Sequence, residues 1–302
     1  MLREHSRTQN KLKTDLGQLV LSALSDERIY EVLLNPDGTL WVDGYQGKRA
    51  YGSMSAAAAK NLINTVASVS DEMVTRQNPS FSGELWIEIN EEFKLFRFQA
   101  LIPPVVAYPA FAIRKRAGGV ISLQQYVQDG IITPQQEKTI KGSVEQRKSI
   151  VVVGGTQSGK TTFANAILDC VARTHPDDRV IIIEDTQELR CAVQDVVAMR
   201  SSPLRSMNEL IYDSLRMRPD RIIIGEVRGK EAHSLIKSWN TGHSGGVSTV
   251  HANSCSSALL RLEQLVMEAG VPPVPEAIAE AVNVLVFIRK TNKAPQGRQV
   301  TS

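Results

Sequence analysis

The sequence predicts an α/β protein in two parts: a smaller α+β domain over residues 1–110, a linker at 111–122, and a larger domain over 123–302 built on a mainly parallel sheet. Three observations carry this. From Ser149 onward, short and continuously apolar runs alternate with helical patterns, as buried parallel strands do. Before that point, strand-forming residues flank tight-turn residues, as hairpins do. Between the two, Pro103, Pro104 and Pro109, followed by Gly118-Gly119, break regular structure.

Taken in order, Leu12, Leu16, Leu19, Val20, Ala23 and Leu24 recur at helical spacing with Lys11, Lys13, Asp15 and Gln18 opposite, which predicts an amphipathic helix with an apolar core-facing stripe. Tyr30 to Leu34 and Thr39 to Asp43 flank Asn35-Pro36-Asp37-Gly38, a turn between two strands. The Ala-rich stretch from Ser55 to Val69 reads as a helix capped by Ser55. Leu85 to Asn90 and Lys94 to Leu101 form a second hairpin, rich in aromatic and branched residues around a charged turn. In the second part, Ile150 to Val153, Val180 to Ile183, Arg221 to Ile224, Gly246 to Val250 and Val284 to Ile288 are the buried strands.

Composition excludes several classes. Hydrophobic residues at 42% and charged residues at 22% describe a globular chain rather than a disordered or fibrous one. A net charge of +3 from 35 basic and 32 acidic residues is too even to argue for nucleic acid or membrane binding, except locally through the basic ends Arg3 to Lys13 and Arg289 to Arg298. Cys170, Cys191 and Cys255 are too scattered for a metal knuckle or a disulfide framework, and buried thiols in a reducing cytosol are expected. The first thirty residues lack the apolar core of a signal peptide, and no apolar run approaches the ~20 residues that span a bilayer. A soluble, cytoplasmic protein is expected.

Gly154-Gly155-Thr156-Gln157-Ser158-Gly159-Lys160-Thr161 satisfies the G-x-x-x-x-G-K-[ST] pattern of a phosphate-binding loop. The strand Ile150 to Val153 leads into it, and Thr162 to Val171 continues as a helix, so loop amides and helix N-terminus converge on one anion. Lys160 suits the β and γ phosphates of ATP, and the Thr161 hydroxyl suits Mg²⁺. Past the strand Arg221 to Ile224, Glu226 is placed to orient or deprotonate attacking water. Past Ile181 to Ile183 stand Glu184, Asp185 and Glu188, of which Glu184 and Glu188 are the choices to hold Mg²⁺, partly through water.

With these motifs in hand, the sequence resembles the secretion ATPase superfamily that powers type II and type IV secretion and type IV pili. Four motifs match in order: the phosphate loop, the acidic box Glu184 to Glu188, the Arg-Pro-Asp segment Arg218 to Glu226 with Arg228 after it, and Thr241-Gly242-His243-Ser244-Gly245 running to His251. Leu34-Asn35-Pro36-Asp37-Gly38 with Leu40-Trp41, in a chain this short, is similar to the TrbB-type conjugal transfer ATPases, relatives of the VirB-type secretion motor. The resemblance implies a RecA-like P-loop NTPase domain behind a regulatory and oligomerising N-terminal domain, a homohexameric ring at the inner-membrane secretion channel, and ATP with Mg²⁺ at the domain seam. It implies catalytic roles for Glu226, Lys160, Glu188, His251 and Arg114. It places Gly154 to Thr161, Thr162, Arg97 and Arg114 on nucleotide, and gives Arg218, Arg228 and His243 a coupling role.

Other readings divide on stated features. A type II secretion or pilus motor would share the catalytic residues, but the chain lacks a paired C-x-x-C insertion and a long C-terminal domain. A GTPase would need an acid where Asn292-Lys293-Ala294-Pro295 has Pro295. A non-enzymatic alternative is a nucleotide-gated scaffold with negligible turnover.

Overall fold

A computed structural model describes residues 2–44, 47–90, 92–115, 120–202, 204–291, 294 and 296–301, with side chains from residue 7 onward. Arg116, Gly118-Gly119, Asn292, Lys293, Pro295 and the side chain of Arg3 lie outside the described residues. The chain divides into two compact units, Met1–Gly118 and Gly119–Ser302.

In the first unit, helix α1 (Leu2–Ser25) and helix α2 (Ala56–Val69) cover one face of a six-stranded antiparallel sheet. Its strands are β1 (Ile29–Leu34), β2 (Thr39–Gly44), β3 (Arg49–Ser53), β4 (Ser80–Ile89), β5 (Glu92–Leu101) and β6 (Ala110–Lys115), in the order β3-β2-β1-β6-β5-β4. The stripe on α1 buries Leu12, Leu16, Val20, Ala23 and Leu24 as expected, although Gly17 interrupts the helix, whereas Leu19 is exposed. Ser55 caps α2 by accepting from the Ala58 amide at 3.2 Å. The expected linker differs at its start: residues 111–115 belong to β6, a central strand whose Phe111 and Ile113 enter the core with Phe98. Its prolines end at Pro109, so they flank the ladder without interrupting it.

On the face of this sheet away from the helices, side chains directly opposite one another form a charged row. Arg97 of β5 faces Arg114 of β6, with Glu84 of β4 beyond the first and Glu31 of β1 beyond the second.

The second unit carries a seven-stranded sheet. Its strands are β7 (Ile150–Val153), β8 (Val180–Glu184), β9 (Val196–Arg200), β10 (Arg221–Val227), β11 (Val247–Val250), β12 (Val284–Lys290) and β13 (Arg298–Thr301). They lie in the order β13-β12-β7-β11-β10-β8-β9, all parallel except the edge strand β13. Helices α3 (Leu123–Gln128), α4 (Pro134–Glu145) and α5 (Lys160–Thr174) pack on one face. Helices α6 (Met207–Ser214), α7 (Glu231–Asn240), α8 (Cys255–Met267) and α9 (Pro275–Ala281) pack on the other. This three-layer arrangement explains the continuous apolar runs: each central strand is buried on both faces, Val152 and Ile182 in one core, Val153 and Ile183 in the other. Among the described residues no helix is long and apolar enough to cross a membrane, and the three cysteines are free thiols, Cys170 buried and the others half-buried.

Candidate functional site

The parallel sheet brings the carboxyl ends of β7, β11, β10 and β8 side by side, and the loop Gly154 to Gly159 leaves β7 at that edge. Gly159 adopts φ 99° as it turns the chain into α5. Gln157 also takes a left-handed conformation, at φ 58°. Lys160, only 7% exposed, folds back over the loop and donates to the Gly155 carbonyl at 3.0 Å. Thr156 and Gln157 stand exposed on the loop's rim, and Thr161 and Thr162 are half-buried in the first turn of α5.

A residue from the neighbouring strand end reaches this lysine, and one from the next strand reaches that residue in turn. His251, one residue past β11, places Nδ1 at 3.3 Å and Nε2 at 3.2 Å from Lys160 Nζ. The same Nε2 lies 2.6 Å from Glu226 Oε1, on β10. Partial burial holds the imidazole below its ordinary pKa; Glu226 pulls the other way, and Lys160 and Arg228 add to the depression. Arg228 approaches that carboxylate from the other side, its Nε at 3.0 Å and Nη2 at 2.5 Å from Oε2, and reaches Asp185 at 3.4 Å. Lys160, His251, Glu226, Arg228 and Asp185 form one continuous polar chain.

The acidic box divides its labour. Glu184, 4% exposed at the end of β8, accepts from the backbone amides of Glu188 at 3.0 Å and Leu189 at 3.1 Å. The carboxylate, expected among the metal ligands, is turned into its own loop. Gly225 makes room for it: a β-carbon there would stand 2.7 Å from Glu184 Cγ. Asn165 on α5 grips the same loop from the other side, donating to the Glu188 carbonyl at 3.1 Å and accepting from the Arg190 amide at 2.8 Å. Glu188 is thus anchored to the helix whose first turn carries Thr161. Sequence reasoning missed Asn165 and Gly225; a polar residue on the buried face of a predicted helix was the available signal for the first.

Arg218 and His243 lie elsewhere. Arg218 is exposed in the turn before β10, and His243 Nδ1 donates to the Pro219 carbonyl at 3.0 Å, both at the amino edge of the sheet. That edge is about 20 Å from the loop along β10. It is built on a buried ion pair: Arg221, 0% exposed, donates to Asp178 at 2.6 Å and to the Gly245 carbonyl at 2.7 Å, while Arg147 takes the other Asp178 oxygen at 2.5 Å. Gly245 sits at φ 81° with the Arg221 guanidinium packed where a β-carbon would be. Arg97 and Arg114 stand in the first unit, side by side in the charged row described above.

A phosphate loop at the carboxyl edge of a parallel sheet, with an acid and an imidazole on adjacent strand ends, is the site of a RecA-like P-loop NTPase. The chain belongs to the type II/IV secretion system protein family, whose model matches residues 26–300. It is 45% identical over 300 residues to a chain of Sinorhizobium fredii described as "Probable conjugal transfer protein TrbB", with 99% of this chain and 90% of that one covered. Its fold matches the VirB11 ATPase of the Brucella suis type IV secretion system at a TM-score of 0.51, with 24% identity and coverage of 99% and 96%. The Legionella pneumophila ATPase DotB matches at 0.68, with 15% identity and coverage of 93% and 78%.

Proposed function

We propose that this chain is the ATP-hydrolysing motor of a type IV secretion or conjugal DNA transfer system, converting ATP and water to ADP and phosphate to power substrate transfer or pilus assembly. The observation that supports this most is the convergence of Lys160, His251 and Glu226 at one edge of the sheet, beside an intact phosphate loop.

The loop amides from Gly155 to Thr162 and the α5 N-terminus receive the polyphosphate, and Lys160 leaves the Gly155 carbonyl to meet the β and γ oxygens. Glu226 accepts a proton from attacking water; for this it has to give up one of its two neighbours, the Arg228 guanidinium and the His251 ring, and His251 is the one that can turn to a phosphate oxygen instead. The Thr161 hydroxyl and the Glu188 carboxylate are a hard-oxygen pair suited to Mg²⁺, with Glu184 supporting them. When bound, Mg²⁺ supplies neutralising charge to the β and γ phosphates. Arg114 and Arg97 are the first unit's candidates for phosphate contacts, with Arg114 as the catalytic one, and Arg218, Arg228 and His243 are assigned to coupling. The ring is a homohexamer at the inner-membrane channel, with the first unit regulating and assembling it; light scattering is expected to show ATP-dependent growth of the particle to six chains.

The direct test is Glu226→Gln. ATP binding is retained and turnover falls by roughly 10²- to 10⁴-fold, the contribution of a positioned base. Unchanged turnover would remove Glu226 from the mechanism. Binding with no measurable turnover in the unaltered protein would leave a nucleotide-gated scaffold instead of a motor.

A further inference from the structure

The last hairpin of the chain brings two cations to the flank of the phosphate loop that the machinery above does not use. Strand β12 runs parallel to β7, with Phe287 opposite Val153, and so emerges alongside the start of the loop. Near its end Lys290 Nζ donates to Gln157 Oε1 at 3.2 Å. Strand β13 returns antiparallel, with Arg298 opposite Lys290. Arg298 lies across the loop's last glycine: its Cδ and Nε are each 3.3 Å from where a β-carbon on Gly159 would stand.

Among the described residues, Arg298 Nε is buried without a hydrogen-bond partner, and so is the nearby loop hydroxyl Ser158 Oγ. A guanidinium N–H removed from water and left unbonded is costly, and an anionic oxygen on the loop would satisfy it. The arginine is held there from behind. The Val300 amide donates to the Ile131 carbonyl at 2.9 Å, and Gln136 Nε2 donates to the Val300 carbonyl at 3.3 Å. These bonds tie β13 to α4 and the turn before it.

The strand order decides which part of a nucleotide this flank meets. Lys160, His251 and Glu226, the γ-phosphate side, gather where β11 and β10 lie beside β7; β12 and β13 lie on the opposite side of β7. We propose that Arg298 is a nucleotide-binding residue for the α-phosphate, gripping ATP and ADP alike, with Lys290 a positioning residue that fixes the rim of the loop through Gln157. This deepens the ATP-site reading above and rests on it. Because the contact precedes the bond that is cleaved, it holds the product as firmly as the substrate.

The test is calorimetric titration of the full chain with ADP and, separately, with a non-hydrolysable ATP analogue. Arg298→Ala is expected to raise both dissociation constants by the same factor, about tenfold or more for a lost charged hydrogen bond. Arg298→Lys is expected to recover part of the loss, and the melting temperature of the nucleotide-free protein stays within about a degree of the unaltered one. Unchanged affinity for both nucleotides overturns the proposal, as does weakening confined to the ATP analogue, which would move Arg298 to the γ-phosphate. Should Arg298→Ala fail to fold, Arg298→Gln carries the same comparison with the side-chain stem kept. Lys160→Ala, run in parallel, separates the two readings. If it binds nucleotide as well as the unaltered protein does, the site assignment itself fails; if it alone loses binding, only the role of Arg298 fails.

Discussion

Gly225 and Glu184 show how little room the site leaves. The carboxylate of Glu184 reaches its two amides only by crossing the α-carbon of Gly225 on the next strand. Gly225→Ala is therefore expected to destabilise the protein by about 1–3 kcal/mol through overpacking, and to lower turnover by shifting Glu188 and Glu226. Urea unfolding and a steady-state assay read the two effects separately. At this scale the sequence put Lys160 in a phosphate-loop pattern after one apolar strand and Glu226 at the end of another, while His251 was singled out only through the family resemblance. It did not separate Glu184 from Glu188, since which carboxylate turns onto backbone amides depends on the path of the loop after β8. Asn165 stayed hidden for a similar reason: its partners lie more than twenty residues along the chain.

At the scale of elements, the central strands were legible and the edges were not. Strands β9 and β13 sit at the two edges of the second sheet, and β9 alternates exposed and half-buried residues, so neither has the apolar run that marked the others. The amino edge of that sheet depends on Asp178, which joins the turn before β8 to Arg221 and Arg147. Burial by itself would raise the Asp178 pKa, but the two arginines outweigh it and hold the carboxyl below its ordinary value. The stabilisation is present in full above about pH 4, the unfolded carboxylate's range, and is lost as pH falls through the lower folded value. Asp178→Asn leaves Arg221 buried without a counter-charge and is expected to cost about 3–5 kcal/mol at neutral pH. The gap between variant and unaltered protein should close in acid. Chemical unfolding at pH 7 and below pH 4 checks both statements.

For the whole molecule, the division into two α/β units was readable from the change of pattern at Ser149, whereas the linker was read too early because proline density outweighed the strand that follows it. Each apolar cluster draws its residues from one unit only. Saturating ATP analogue at about 100 times its dissociation constant should add about 2.7 kcal/mol to the stability of the unit that holds the phosphate loop. Scanning calorimetry would show that gain, and Lys160→Ala should abolish it. The fit between Glu184 and Gly225 also bears on descent. In a relative that carries a methyl group at the position of Gly225, the side chain at the position of Glu184 is expected to be shorter, so that the two positions change together.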